Sequence, residues 1–248
     1  MSSDRPAPSA SWQESDSATF IDVGRVMIPR RDEIERTIVA LVPGKPDAEL
    51  TVVDIAAGVG WLSKAILARY PRAHALLLDG SDTMLAEAER NLAEYAGRYE
   101  LRQFRLEDEG WIDALPAPVR CVVSSLAIHH RDAAGKRALY RRLLPALEPG
   151  GAVLIADLVQ PASPAALRLA AREWDDEVRS QSLELTGTLD AWELFDGDDW
   201  NIFDHPDPID TPSPIADQLD WFREAGYVAA DVFWAYAGHA VYGAFRPE

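Results

Sequence analysis

The sequence predicts an α/β fold: a doubly wound, seven-stranded, mostly parallel sheet that closes with an antiparallel C-terminal hairpin. Three observations predict it. From about Leu50 to Val159, short continuous apolar runs alternate with amphipathic stretches of helical period, the pattern of strands buried on both faces and joined by right-handed crossovers. Several apolar runs end on a polar residue, Asp54, Asp79 or Ser124-Ser125, where a buried strand has no structural need of one. Finally, "VAADVFWAY" and "GHAVYGAFR" are joined by little more than Ala237-Gly238, too short for a crossover, so one of the two runs antiparallel.

Each element has a local reason. Residues 1–18 are rich in Ser, Pro and Asp, and are expected to be mobile unless a ligand orders them. "RRDEIERTIVALV" spaces Ile34, Ile38, Leu41 and Val42 on one helix face and is closed by Pro43-Gly44. "LTVVDIA" is the first strand and "WLSKAILARY" the helix after it, stopped by Pro71. "AHALLLD" is the second strand, and "SDTMLAEAERNLAEYAG" a helix with Ser81 as N-cap. "YELRQFRL" and "VRCVVSSLAI" are the third and fourth strands, "DAAGKRALYRRLLPALEPGG" a helix ended by Pro-Gly-Gly, and "AVLIADLV" the fifth strand. Beyond Pro161 the pattern changes. Residues of about 163–213 hold a helix-like piece rich in Asp, Glu and Trp and the proline-broken loop "FDGDDWNIFDHPDPIDTPSP", read as a helical cap inserted after the fifth strand. "IADQLDWFREAGY" is the last helix, ending at Gly226. Residues 19–248 are expected to form one domain that carries this cap.

Composition narrows the function classes. The chain has 248 residues and a formal net charge of −17, which repels phosphate backbones and argues against a nucleic-acid partner. A single cysteine, Cys121, excludes an internal disulfide framework and suits a reducing compartment. No apolar run is long enough to span a bilayer and the start has no apolar signal core, so a cytoplasmic protein without a membrane partner is expected. The oligomeric state is left open, a homodimer included.

In a doubly wound sheet, ligands sit beyond the carboxyl ends of the strands, where the chain order reverses. Gly58 and Gly60 occupy the first strand-to-helix turn, where a missing Cβ lets a ligand approach the backbone. Asp79 follows Gly60 by roughly 20 residues, the spacing of an acid that takes both hydroxyls of a ribose. A dinucleotide loop would read G-x-G-x-x-G, but here the loop is Ala56-x-Gly58-x-Gly60 with Ser63 in place of the third glycine. Asp54, just before the loop, is poorly placed for a pyrophosphate and well placed for a cation such as the ammonium of an amino acid near a sulfonium.

"VVDIAAGVG", "LLLDGSDTMLAEAERNL", "CVVSSLAIHH" and "LEPGGAVLIADLV", in that order and spacing, resemble the class I S-adenosylmethionine-dependent methyltransferases. The likeness runs from about Arg25 to Arg246 and is nearest to bacterial small-molecule enzymes with a double histidine after the fourth strand. It implies a Rossmann-like methyltransferase fold, S-adenosyl-L-methionine as cofactor with S-adenosyl-L-homocysteine as product, and a small-molecule acceptor attacked by in-line displacement. It also implies residue roles. Asp54 faces the methionine ammonium, and Ala56, Gly58 and Gly60 wrap the methionine and ribose. Asp79 takes the ribose hydroxyls, Gly80, Ser81 and Met84 flank the adenine, and Ser124 and Leu126 offer backbone groups beside the methionine. The acid that the family places after the third strand, in contact with the adenine, falls on "RLEDEGW": Arg105 or Leu106 stands in its place with Glu107 or Asp108 nearby, and Leu106 and Glu107 are the expected cofactor contacts. Arg25 is expected to meet the cofactor carboxylate.

Three further features are weighed against plainer roles. His129-His130 is either one buried and one exposed histidine or a general base, with His130 the member expected to face the acceptor. Trp174 and Trp192 read as cap core, whereas Trp200-Asn201 lies in a loop that needs no tryptophan and is expected to wall and anchor the acceptor together with Arg30. The acids of the cap favour neutral or cationic acceptors. The acid run around Asp196, Asp198 and Asp199 reads as solvated surface, and no metal is expected. Two other classes share the plan: a nicotinamide-dependent oxidoreductase and a non-catalytic S-adenosylmethionine-binding protein.

Overall fold

The computed structural model describes residues 14–108 and 110–248. The expected mobility of residues 1–13 concerns a stretch outside the described residues. Residues 14–18 depart from it, because the first helix, α1 (Glu14–Met27), starts there and buries Ser17.

The strands are β1 (Thr51–Ile55), β2 (His74–Asp79), β3 (Tyr99–Gln103), β4 (Val119–Ser125), β5 (Leu147–Leu158), β6 (Val228–Tyr236) and β7 (His239–Phe245). They lie in the order β3-β2-β1-β4-β5-β7-β6. The pairings from β3 to β5 are parallel, and β7 runs antiparallel to both β5 and β6. The order reverses between β1 and β4, so a crevice opens beyond Ile55 and Ser125. The strands are apolar because both faces are covered. Val52, Leu77, Val123 and Leu154 meet α2 (Arg31–Leu41), α3 (Trp61–Arg69) and α4 (Asp82–Asn91) on one side. Val53, Leu76, Val122 and Ile155 meet α6 (Ala133–Leu143) and α9 (Ile215–Ala225) on the other, with the four-residue α5 (Gly110–Asp113) at its margin. Gly243 fixes how closely β7 approaches β5, since a Cβ there would lie 2.2 Å from the Val153 carbonyl oxygen.

The Pro149-Gly150-Gly151 turn, expected to end a helix, lies inside β5 instead. The chain leaves α6 through a 3-10 turn at Leu144–Ala146, and β5 pairs from Leu147 onward with a register shift opposite Val119–Cys121. The cap consists of α7 (Pro164–Thr186), α8 (Asp190–Gly197) and the following loop to Ser213. It builds its own apolar cluster with the end of α1: Val26 and Met27 pack with Trp174, Val178, Phe195 and Phe203. Trp174 Nε1 donates to the Met27 carbonyl at 2.8 Å, and the Gln181 amide donates to the carbonyls of Val26 and Ile28. The α1–α2 junction is thus bound to the cap by the carbonyls that the end of α1 leaves unpaired. No helix of the described residues is long and apolar enough to cross a membrane.

Candidate functional site

The loop after β1 turns tightly enough to demand left-handed backbone at three positions: Ala56 (φ 53°), Gly58 (φ 54°) and Gly60 (φ 77°). Only Ala56 strains there, at a typical cost of about 1–3 kcal/mol. The missing first glycine therefore shows as backbone strain, not as a blocked approach. Gly60 also has no room for a side chain, because a Cβ would press on Leu77 and Leu92 at 3.1 Å.

Asp79, at the end of β2, anchors this loop. Its carboxylate accepts from Gly58 N at 2.7 Å and from Ser81 N at 2.9 Å, and keeps further lone pairs for a ligand's hydroxyls. Burial raises its pKa. Ser81 caps α4 by accepting from Met84 N, and donates to Glu14 of α1 at 2.9 Å, so the start of the N-terminal helix lies against the start of α4. Gly80 lies close to the Phe104 carbonyl, and the Met84 sulfur sits 3.9 Å from the Cβ position of Gly58. At the fourth strand's exit, Ser124 donates to the Ile55 carbonyl at 2.8 Å, and Leu126 turns through φ 54°. Beyond β3, the Leu106 carbonyl accepts from the Arg131 guanidinium, and the Glu107 side chain is exposed.

The crevice holds an incomplete pair of charges. Asp54 is 1% exposed, and the protein gives its carboxylate Ser63, whose hydroxyl donates at 2.7 Å. Burial, with Asp79 nearby, pushes its pKa up to about 7. On its other side stands Arg31, which lies 3.6 Å over the Trp61 ring and donates through Nε to Glu35. Its Nη1 is buried without a hydrogen-bond partner. A buried donor of this kind costs about 1–3 kcal/mol until something accepts from it. Arg31 is thus paired with Glu35 and keeps one unmet donor, Nη1, while Asp54 has a hydroxyl and no ion-pair partner, so this end of the crevice offers a buried carboxylate and a guanidinium donor to a ligand. These residues fit the expected cofactor. Arg25, expected at the cofactor carboxylate, is exposed and pairs with exposed Asp32, whereas the Arg31 guanidinium is largely enclosed and pairs with Glu35.

A pH dependence follows. An ammonium ligand would need Asp54 ionised, and below about pH 7 the buried carboxyl takes up a proton. S-adenosylhomocysteine affinity is expected to fall towards about tenfold per pH unit below 7. The sign for stability is opposite. A raised carboxyl pKa favours the ligand-free fold below the ordinary carboxylate range, and that contribution disappears as pH rises through 7. Calorimetric titration from pH 5.5 to 7.5 checks this, with Asp54→Asn removing the dependence. A flat wild-type profile refutes it.

The double histidine does not sit in strand geometry. Ile128–His130 form a 3-10 turn, so the rings do not point apart as neighbours in a strand would; their centroids are 4.1 Å apart. His129 is buried, and its Nδ1 meets Asp157 Oδ1 at 2.5 Å while its backbone N–H donates to Asp157 Oδ2. Asp210, from the loop after the cap helices, reaches His129 Nε2 at 3.2 Å and His130 Nδ1 at 3.1 Å. Burial would depress the His129 pKa, but the two carboxylates outweigh it and raise it to about 9. The histidines in turn hold Asp210 well below the usual carboxylate range against the effect of its burial. Sequence reasoning missed both acids. Asp157 carries the same signal as Asp54, an acid near the end of an apolar strand, whereas Asp210 lies 80 residues from His130 and has no local signal.

Arg30 and Asn201 do not join this cluster. Arg30, in left-handed backbone (φ 49°), stacks over Tyr236 and pairs with Glu177. Asn201 is buried, and its amide is committed to the Ala171 carbonyl and Asp175, so it ties the loop to α7 and does not anchor an acceptor. Trp200 packs, half-buried, against the cap's own cluster, where Trp174 is core and Trp192 is half-buried at the margin.

Known proteins share this fold. Residues 52–151 match the family model described as a methyltransferase domain. A ubiquinone/menaquinone biosynthesis C-methyltransferase from Syntrophotalea carbinolica is 31% identical over 114 residues, which cover 46% of this chain and 46% of that protein. The chain therefore matches about half the length of this curated relative. Among solved structures, an O-methyltransferase family protein from Burkholderia thailandensis superposes with a TM-score of 0.65 at 18% identity, covering 99% of this chain and 66% of that one. An O-methyltransferase family 2 protein from Planctomyces limnophilus, in complex with apigenin, gives 0.60 at 19% identity, covering 95% and 62%.

Proposed function

We propose, from the premise that this chain belongs to the class I S-adenosylmethionine-dependent methyltransferases, that it transfers a methyl group to a small-molecule acceptor held between the strand ends and the cap. The observation that carries this reading is the buried Asp54 carboxylate beside the Asp79-anchored loop, with the Arg31 Nη1 donor left unmet, groups that suit an amino-acid end next to a ribose.

In that reading the cofactor, when bound, supplies a methyl on a cationic sulfur, so the chemistry needs alignment more than activation. Asp54 and Arg31 hold the ammonium and carboxylate, Asp79 the ribose hydroxyls, and Ser81 and Met84 flank the base. Ala56, Gly58 and Gly60 let the loop close on the ligand. The cap and α1 exclude water from the crevice. A neutral hydroxyl or amine acceptor must lose a proton, and the double histidine handles it. His130, whose side chain is 22% exposed against 6% for His129, is the member an acceptor reaches. We place the acceptor's reacting atom there and assign His130 the proton.

The oxidoreductase alternative fits less well. Ser63, in the place of the third glycine, helps hold a buried acid where a dinucleotide would bring its pyrophosphate. The test is a calorimetric panel. S-adenosylmethionine and S-adenosylhomocysteine are expected to bind at micromolar levels and NADH not at all. Mass spectrometry of an acceptor panel is expected to find a methylated product together with S-adenosylhomocysteine. NADH binding without S-adenosylhomocysteine binding would reverse the assignment, and cofactor binding with no product from any acceptor would favour a non-catalytic binding protein.

A further inference from the structure

Asp157, His129, Asp210 and His130 form a cluster more elaborate than a single base requires. His129 Nε2 and His130 Nδ1 lie 3.2 and 3.1 Å from the same oxygen, Asp210 Oδ1. Neighbouring ligands around an ion with bonds of about 2.1 Å are separated by roughly 3.0–3.4 Å, which is this spacing. The three ligand atoms all lie within 4.8 Å of one another, so a modest closure of the two rings completes the set.

The shell around them is built to hold this arrangement. His129 Nδ1 is fixed by buried Asp157, the carboxylate–histidine pairing that sets the tautomer and orientation of metal-bound imidazoles. Asp210 belongs to a distant loop, yet the residue after it is latched to the histidine turn. Thr211 donates its N–H to the His129 carbonyl at 2.9 Å and its hydroxyl to the carbonyls of His129 and Arg131. Lys136, fully buried, donates to the Thr211 carbonyl and to Ser213 Oγ. The charges point the same way. Two largely buried carboxylates, Asp157 and Asp210, lie against the histidine pair, a setting that suits a cation.

We propose that His129 Nε2, His130 Nδ1 and Asp210 Oδ1 bind a divalent first-row transition metal, with Asp157 orienting His129, and that the open coordination positions receive an oxygen of the acceptor. Two histidines and one carboxylate with free positions form a ligand set that such ions accept. The acceptor's hydroxyl binds the ion and loses its proton to solvent, and the resulting oxyanion is held for methyl transfer. The ion then does what a free His130 would do as a base. This rests on the methyltransferase reading, and it narrows the acceptor class to molecules with an acidifiable hydroxyl.

The test uses the full chain and two probes, Zn2+ by calorimetry and Co2+ by visible absorption. One equivalent of Zn2+ is expected to bind, and Co2+ to give absorption bands of a nitrogen–oxygen site. Asp210→Ala and His130→Ala are each expected to weaken Zn2+ at least about tenfold, and Asp157→Asn to weaken it by about 10–100-fold through His129. Circular dichroism and S-adenosylhomocysteine affinity are measured on the same samples. Failure of stoichiometric Zn2+ binding, or equal affinity in wild type and in folded Asp210→Ala, overturns the metal site. If S-adenosylhomocysteine still binds in that case, the cofactor reading survives, and its loss in the wild-type chain would overturn that reading separately.

Discussion

His130→Ala is expected to lower turnover by about 10²-fold or more while S-adenosylhomocysteine affinity stays within about twofold of wild type. The histidine turn lies beyond β4 and contributes nothing to the Asp54–Arg31–Asp79 cradle, so the cofactor should not sense the change. The effect appears in kcat whether His130 removes the acceptor's proton itself or holds the ion that does. A divalent-ion titration of the wild-type rate separates those two routes. His129→Ala makes the informative contrast. His129 is buried between Asp157 and Asp210, and its removal leaves two carboxylates facing a cavity, a change that commonly costs about 3–5 kcal/mol. It is expected to lower the melting temperature as well as the rate, whereas His130→Ala mainly lowers the rate. A fully active His130→Ala protein would remove the residue from the mechanism.

Asp79→Ala is expected to weaken S-adenosylmethionine and S-adenosylhomocysteine by well over tenfold. Two charge-assisted hydrogen bonds to the ribose are lost, each about 1.5 kcal/mol or more. The loop also loses an anchor, because the same carboxylate holds Gly58 N and Ser81 N. Asp79→Asn keeps an acceptor oxygen and should fall between wild type and alanine. Calorimetry reads the affinities, and circular dichroism shows that the strand ends remain folded. Unaltered affinity in a folded Asp79→Ala protein would remove the ribose assignment and, with it, the reading of the loop.

The sequence by itself determined the sheet. Continuous apolar strands, amphipathic helices between them and a hairpin turn of two residues leave one economical arrangement, and β1 to β7 appear where those patterns lie. It also determined the acids Asp54 and Asp79 and the glycines between them, because a carboxylate at the end of a buried strand and a bare turn after it are local anomalies. Tertiary structure alone decided which arginine is enclosed. Arg25, Arg30 and Arg31 look alike in the sequence. The left-handed backbone at Arg30 sends that guanidinium to Tyr236 and turns Arg31 under Trp61. It decided that Asn201 is spent on α7, a commitment made by a carboxylate and a carbonyl 26 and 30 residues away in sequence. It decided the character of the double histidine too, for a 3-10 turn and not strand alternation sets the two rings together. Asp210 completes that cluster from a loop that no periodicity describes, delivered by hydrogen bonds from Thr211 and Lys136. Local pattern records what each segment buries against its neighbours, whereas a site assembled from four distant segments is fixed by the hydrogen bonds that form only once those segments have docked.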